Sequence, residues 1–438
     1  MILELLTMNF KSFAPPHRIQ RFTVLIFILS FLSCIILFIL LHDYFFDLSI
    51  SIVKSLEIER KRDDLFYQFF SFIETYICSD YVTYFILLLM YNYGNIFKSF
   101  ILFVEIVLSK YFTGLFRLVF QQTPPYYDHS VPFSVINEHK FSFPSEKLIL
   151  LPVFYMTLWE IAVKKLRGKE QSDYKYFMLF GVIAIVGILL ISEVVLGMVS
   201  IDQGFFSIWI SMDLYYMIFH VLKLNFSDNK HFYRIIRSNI KKIFAIVVFL
   251  LSIPLIIYLI RKDSEYIKSL ENQITDMNKS DNEILFDKEA LSTSFVLFCV
   301  VFMFIGFKLE LNFLFQEQFS NWSQYNFEPN DENNHSYSTG SYNSSLSERI
   351  SITRGAQWNH TKFVKSIFRF IAIVILVVLC FSPYFFIKWS SSLFIVILIK
   401  DMLCWSMAAL GGTFFFKVLL KYFNLSNSTL WTILRESI

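Results

Sequence analysis

Three short polar stretches, each beside the end of an apolar segment, contain residue types that could bind and transfer phosphate. They are RLVFQQTPPYY from Arg117, FPSEKL from Phe143 and SEVVLGMVSIDQ from Ser192. Cleavage of a phosphate monoester without a metal requires cations that hold the phosphate oxygens, a nucleophile, and an acid or base that orients it. If these stretches lie at helix ends on one side of a membrane, their side chains can converge on a single site.

The elements that must position these stretches are membrane-spanning helices. Of the 438 residues, 55% are hydrophobic and 17% are charged, and the mean hydropathy is +0.52. A helix needs about 20 apolar residues to cross the roughly 30 Å hydrocarbon layer, and the chain offers that length repeatedly. We therefore predict an all-α polytopic membrane protein with about ten transmembrane helices. The predicted spans are Phe22–Leu41, Tyr81–Tyr93 extended by Leu65–Cys78, Ile96–Phe120, Lys147–Val163, Tyr176–Val199, Phe205–Leu222, Ile243–Ile260, Ser294–Phe315, Phe363–Ile387 and Leu393–Leu420.

Basic loops predict the orientation of these helices. Short loops rich in Lys and Arg stay cytoplasmic, and such loops follow the fourth predicted span (Lys164–Lys169) and the sixth (Lys223–Lys242). With ten spans both termini are then cytoplasmic, and the three stretches meet at the lumenal face. The basic segment Arg60–Arg62, which this topology places outside, argues against it. The net charge of +3 gives no reason to expect a nucleic-acid partner.

In order and spacing, the three stretches resemble the signature of the type 2 phosphatidic acid phosphatase superfamily, which reads K-x6-R-P, P-S-(G/T)-H and S-R-x5-H-x3-D. LGMVSIDQ and FPSEKL are most similar to the third and second motifs of sphingosine-1-phosphate phosphatases. The resemblance covers residues 65–222. It implies a six-helix lipid-phosphatase-like core in an endoplasmic reticulum membrane, with membrane lipids, among them sphingoid-base phosphates, as partners. It implies no cofactor and no metal.

The first stretch can be aligned with its motif in two ways. Without gaps, Arg117 takes the position of the phosphate-binding lysine, Pro124 that of the arginine, and Pro125 that of the proline that follows. This registration, which we prefer, loses the arginine. The other registration makes Lys110 and Arg117 the K-x6-R pair and requires a short insertion before the prolines.

The second stretch keeps the residues that shape the backbone in its motif and loses the acid. Pro144 and Ser145 match the motif. Lys147 stands where the resemblance implies a histidine that protonates the leaving group.

The third stretch has lost the groups that perform the reaction. Ser192 matches its motif, but Glu193 replaces a phosphate-binding arginine and Val199 replaces the nucleophilic histidine. Gln203 replaces the aspartate that orients this histidine, and the adjacent Asp202 is expected to have no histidine to orient. Since valine has no lone pair with which to attack phosphorus, the chain is expected to have lost most of the rate acceleration.

Two hypotheses follow for the altered site. His129 and His139, in the loop between the first two stretches, could replace the lost histidine, although the simpler interpretation is that both are solvated loop residues. Glu193 could form an ion pair with Arg117 or Lys147 and so fill the former phosphate pocket, because an unpaired buried charge is costly.

Other charged residues lie inside predicted spans, where an ionisable group often marks a functional site or a helix-packing pair. They are Glu105, Glu160, Asp213, Glu310, Arg369, Lys400 and Asp401. The five cysteines lack CxxC spacing and are expected to be free packing residues rather than disulfide or zinc ligands. The Asn- and Ser-rich segment 316–362 is expected to be disordered. The predicted domains are 1–64 with the first span, 65–222 with the phosphatase-like core, 223–315 with two spans, 316–362, and 363–438 with the last two spans.

Three functions remain open from the sequence. The first expectation is a catalytically inactive pseudophosphatase that binds lipid or regulates a partner. The second is an active lipid-phosphate phosphatase that uses rearranged residues on sphingoid-base phosphates. The third is a transporter or channel that depends on the charged residues within the spans.

Overall fold

The computed structural model describes residues 17–58, 65–93, 96–122, 124–125, 142–165, 170–221, 240–261, 286–310, 363–386 and 394–422. The predicted disordered segment 316–362 and the basic segment Arg60–Arg62 lie outside these residues, as do His129 and His139. In the described part of the chain nearly every residue is helical and there is no strand, in agreement with the predicted all-α class.

The described residues are organised as a series of α-helices. They are α1 (His17–Ile58), α2 (Leu65–Phe72), α3 (Asp80–Tyr93), α4 (Ile96–Phe120), α5 (Glu146–Lys165), α6 (Glu170–Val195), α7 (Ile201–Tyr216), α8 (Ile240–Arg261), α9 (Phe286–Phe295), α10 (Phe363–Phe386), α11 (Phe394–Leu410) and α12 (Phe416–Tyr422). Wider π-helical turns follow α2, α7 and α11, at Ile73–Ile77, Met217–Val221 and Gly411–Phe415. A 3₁₀ turn at Val296–Phe298 continues α9, and that helical segment runs on to residue 310.

Seven helical segments of the described chain are long and apolar enough to cross a bilayer, so the chain is an integral membrane protein. They are Thr23–Ile52, Gln68–Asn92, Lys98–Phe120, Tyr174–Val195, Ile240–Arg261, Asp287–Glu310 and Asp401–Leu419. Each overlaps one of the ten predicted spans. The other three predicted spans correspond to α5, α7 and α10, which are helical but too polar or too short in the described residues to meet the same standard.

The chain divides into two compact units. Unit 1 comprises the described residues of Met1–Tyr84, Ile101–Asn225 and Ile257–Ser294, and unit 2 comprises those of Phe85–Phe100, Phe226–Ile256 and Phe295–Ile438. In unit 1, α7 packs against α1 and α5, and α5 also packs against α6. In unit 2, α10 packs against α11.

Aromatic and aliphatic side chains fill the interior of unit 1. The Phe38 ring stacks on that of Phe143 with centroids 3.9 Å apart, and it meets the rings of Phe120 and Phe206 edge to face. This packing joins α1, α4 and α7 to the segment that precedes α5. All five cysteines are buried and free, as predicted.

Candidate functional site

One end of unit 1 brings together the three stretches that stand out in the sequence. The C-terminal ends of α4 and α6 and the N-terminal end of α5 meet there. Arg117 Nη1 lies 3.8 Å from Glu146 Oε2, and Ser145 Oγ donates a hydrogen bond to Glu193 Oε1 at 2.9 Å. The convergence expected from alternating helix directions is therefore present.

Ser145 fixes the start of α5 and points its hydroxyl group into the site. Its Oγ accepts a hydrogen bond from the N–H of Leu148 at 3.2 Å, and its carbonyl oxygen accepts one from the N–H of Ile149 at 3.1 Å. These are the contacts of a helix N-cap. The backbone N–H of Ser145 donates to Ser207 Oγ on α7 at 3.0 Å. The Ser145 hydroxyl, which accepts at Oγ from Leu148, donates its own hydrogen to Glu193.

Lys110 and Arg117, two turns apart on α4, face the same carboxylate. Lys110 Nζ donates to Glu146 Oε1 and lies 3.5 Å from Asp80 Oδ2, while Arg117 approaches the other oxygen of Glu146. Both cations are at least nine-tenths buried. Lys110 and Arg117 therefore lie together at the site, whereas Pro124, the second cation position in the ungapped registration, is uncharged and buried; the choice between the two registrations stays a prediction.

Lys147 is held by a residue that carries no sequence motif. Its Nζ donates to Glu74 Oε1 and, at 3.1 Å, to the Glu74 carbonyl oxygen, within the π-helical turn Ile73–Ile77. Ser192 Oγ lies 3.5 Å from Glu74 Oε2 and 2.9 Å from the carbonyl oxygen of Leu189. The signal available in the sequence was a single acid within an apolar run, and π-helical turns are often found at functional sites.

The ion pair expected between Glu193 and Arg117 or Lys147 is not formed. Glu193 is 2% exposed, and its Oε2 has no hydrogen-bond partner among the described residues. The prediction was wrong because nearer carboxylates hold both cations: Glu146 pairs with Arg117, and Glu74 pairs with Lys147.

A glycine, Gly197, forms the C-cap of α6 four residues after Glu193. The N–H of Met198 donates to the Glu193 carbonyl oxygen at 2.9 Å, and the N–H of Gly197 donates to that of Val194 at 3.0 Å. Gly197 has φ 72°, a left-handed conformation that glycine adopts without a steric penalty. These are the two bonds of a Schellman C-cap, and they turn the chain so that Val199 points inward.

Val199 lies in an apolar environment. It is 2% exposed and belongs to a cluster with Leu148 of α5 and Leu196, among others. Gln203, which differs from the motif that the third stretch resembles, has a structural role. Its Oε1 accepts the Ser200 N–H at 3.0 Å in a capping box at the start of α7, and its Nε2 donates to Gln122 Oε1 at 3.2 Å.

Asp202 does orient a histidine, contrary to the expectation from the sequence. His42 Nδ1 on α1 lies 2.6 Å from Asp202 Oδ2, and Ser200 Oγ donates to Asp202 Oδ1. The Asp202 side chain is fully buried and that of His42 is 20% exposed. This contact fixes the imidazole through Nδ1, as in an acid–base dyad. The pair was missed because its members are 160 positions apart and His42 stands alone in an apolar run.

The remaining predicted site residues are prolines beside the site and two histidines of the loop. Pro125 and Pro144 are buried, and the Phe143–Pro144 peptide bond is cis. His129 and His139 fall outside the described residues, so the hypothesis that either replaces the lost histidine stays a prediction. Within the described ranges, no group of three or more His, Cys, Asp or Glu side chains could hold a metal ion.

No protein-family model, curated protein or solved structure matches the chain. Its function must therefore be inferred from the residues of this site and their contacts.

Proposed function

We propose that this chain is a pseudophosphatase, an integral membrane protein built like a sphingosine-1-phosphate phosphatase that does not cleave phosphate esters. Its role is to bind lipids, including sphingoid-base phosphates, or to regulate a partner within the endoplasmic reticulum membrane. The resemblance of the three stretches to the phosphatase motifs supports the architecture. The contacts of the cations support the loss of catalysis.

The observation that carries the proposal is the neutralisation of the candidate phosphate-binding cations by the chain's own carboxylates. Lys110 and Arg117 share Glu146, and Lys147 is held by Glu74. A phosphate group entering this space would meet two carboxylates and would have to displace them from their cations. Like charges in a partly desolvated site repel strongly, so tight binding of a phosphate in a reactive position is disfavoured.

The side chains at the altered motif positions also support the loss of catalysis. Val199 packs among leucine and valine side chains and cannot attack phosphorus. Glu193 adds a buried carboxylate where the resemblance implies an arginine. Ser145, although its backbone position matches, directs its hydroxyl to that carboxylate.

Phosphate release from lipid substrates tests this proposal directly. The full chain, purified in detergent and reconstituted into phosphatidylcholine vesicles, is incubated with sphingosine-1-phosphate or phosphatidic acid. We expect no release of inorganic phosphate above that of protein-free vesicles. Binding is measured separately with a fluorescent sphingoid-base phosphate against its dephosphorylated form. Sustained release of phosphate by the purified chain would overturn the assignment as a pseudophosphatase.

The second candidate function, an active phosphatase with rearranged residues, is favoured by one observation. The His42–Asp202 pair supplies an oriented imidazole at the same end of unit 1, where the N-terminus of α7 begins next to the three stretches. An imidazole held by a buried carboxylate can accept or donate a proton during hydrolysis.

The variants His42→Asn and Asp202→Asn separate the two candidates. If the chain releases phosphate and both variants lose that activity, the active assignment holds. Asp43→Asn is the matched control, since Asp43 neighbours His42 on α1 but is exposed. Loss of activity in His129→Asn or His139→Asn, with full activity in His42→Asn, would instead place the catalytic histidine in the loop.

A further inference from the structure

A stripe of buried polar side chains runs along α4 towards the site. Glu105, Ser109, Thr113 and Arg117 follow one another at intervals of four residues. Residues so spaced lie one above another on an α-helix, and this stripe extends for about 18 Å along the helix axis. It begins at an acid well inside the candidate span Lys98–Phe120 and ends at the cations of the site.

Each member of the stripe carries a polar atom that has no hydrogen-bond partner among the described residues. The atoms are Glu105 Oε2, Ser109 Oγ, Thr113 Oγ1 and Arg117 Nε. The first three residues are fully buried and Arg117 is 6% exposed. Buried polar atoms are nearly always satisfied, so four orphaned atoms on one face of one helix need a common explanation.

Hydrogen bonds to the backbone of the same helix do not explain these unsatisfied polar atoms. Buried Ser and Thr side chains in helices commonly donate to the carbonyl oxygen four residues earlier. Elsewhere in this chain they do so: Ser294 Oγ donates to Ala290 O at 3.2 Å, and Thr413 Oγ1 donates to Ala409 O at 2.7 Å. The hydroxyls of the stripe make no such bond.

The two ends of the stripe differ in their access to water. At the site end, Glu146 and Lys147 retain 16% and 25% side-chain exposure, so water can approach Arg117. At the inner end, Glu105 Oε1 accepts the hydroxyl hydrogen of Thr157 at 2.6 Å, and its second oxygen meets no donor within the described ranges. Carboxyl groups within a membrane are typical endpoints of proton relays.

We propose that the Glu105–Arg117 stripe lines a hydrated path through unit 1, along which water and protons pass between the site and Glu105. Hydroxyl groups spaced along the path donate and accept hydrogen bonds in turn, and the carboxyl group of Glu105 exchanges the proton at its end. Water bound along the stripe satisfies all four orphaned atoms together. This path is independent of whether the site binds or cleaves a lipid phosphate.

Cysteine accessibility tests the path. In a background whose five native cysteines are replaced by alanine, Ser109→Cys and Thr113→Cys are reconstituted into vesicles and treated with an aqueous methanethiosulfonate reagent. Val107→Cys is the matched control, because Val107 lies on the same helix, is equally buried and is apolar. The thiolate is the reactive form and needs a polar environment, so we expect both stripe cysteines to react at least about tenfold faster than the control.

Reaction of the stripe cysteines no faster than Val107→Cys, in variants that elute as folded protein, would overturn the proposal. A second measurement uses the unmodified chain and does not depend on folding of the variants. X-ray-generated hydroxyl radicals label side chains beside bound water, and we expect labelling at the stripe residues Glu105, Ser109, Thr113 and Arg117 but not at the apolar pair Ile106 and Val107. Absence of label from Ser109, Thr113 and their neighbours would equally overturn the path.

Discussion

Ser145 and Glu193 are joined by a hydrogen bond of 2.9 Å that links the second stretch of the site to the third. The donor is the N-cap of α5, and the acceptor lies in the last turn of α6. This bond satisfies one oxygen of the buried carboxyl group, and the other has no hydrogen-bond partner in the part of the chain that the structure describes. Glu193 therefore has no cation within ion-pair distance among the described residues, whereas Glu74, Asp80 and Glu146 each contact a lysine.

Replacing Glu193 by glutamine should stabilise the protein. The amide keeps an acceptor for Ser145 and removes an ionisable group that is buried with no ion pair among the described residues, and we expect a gain of about 1–3 kcal/mol in the free energy of unfolding. Glu193→Ala should not give this gain, since it leaves the Ser145 hydroxyl without its acceptor. Thermal unfolding of both variants in the same detergent measures the difference. Equal stabilities of the two variants would contradict the role of the hydrogen bond.

Removing Lys147 should be strongly destabilising, and removing its partner as well should restore much of the loss. Lys147→Met leaves the Glu74 carboxylate, which is 2% exposed, without its cation. Breaking a buried pair on one side typically costs about 3–5 kcal/mol. The double variant Lys147→Met with Glu74→Gln tests the coupling in a double-mutant cycle. Additive losses would show that the pair contributes nothing specific.

The contact of His42 with Asp202 should anchor α1 to α7 whether or not it has a catalytic role. His42→Ala leaves the fully buried Asp202 without one of its two side-chain donors, and we expect a loss of about 1–3 kcal/mol. The exposed neighbour Asp43 provides the control, and Asp43→Asn should be nearly neutral. Chemical denaturation of the two variants, followed by tryptophan fluorescence, provides the comparison. A His42→Ala protein as stable as Asp43→Asn would rule out the anchoring role.

Alanine substitution of two glycines, one inside α6 and one in its C-cap, should change the stability of the protein in opposite directions. Gly197→Ala forces a side chain into the left-handed conformation at φ 72° and should cost about 1 kcal/mol. Gly187→Ala, in the middle of the helix, meets no atom within 4 Å and should be neutral or stabilising by about 0.5–1 kcal/mol. Melting temperatures of the two variants, measured under the same conditions, test this prediction. Similar shifts for both would mean that the Schellman cap does not fix the end of α6.

The convergence of the three stretches could be predicted because it depends on helix lengths and directions, which apolar runs reveal. Their contacts could not, because they depend on residues outside the motifs. Glu74 reaches Lys147 from a π-helical turn that no local pattern announces. His42 reaches Asp202 from the first helix, and only the packing of α1 against α7 brings the two together.

The predicted partner of Glu193 was wrong for a related reason. Charge complementarity identified Arg117 and Lys147 as cations near Glu193, but the distances to competing acids determine which ion pairs form. Glu146 is next to Lys147 in the sequence, yet it turns towards Lys110 and Arg117 on α4, while Glu74 takes Lys147. The sequence alone does not show which of several acids lies nearest to a given cation.

The carboxylate of Glu146 between Lys110 and Arg117 has a consequence for how this chain could change over time. If the chain descends from an active enzyme, a histidine returned to position 199 would meet a leucine-rich cluster and cations that are already bound. Recovery of the reaction would then require changes at positions 199, 193 and 146 together, so no single substitution would restore it. Under such a descent, each of the three substitutions would remove the advantage of reversing the others.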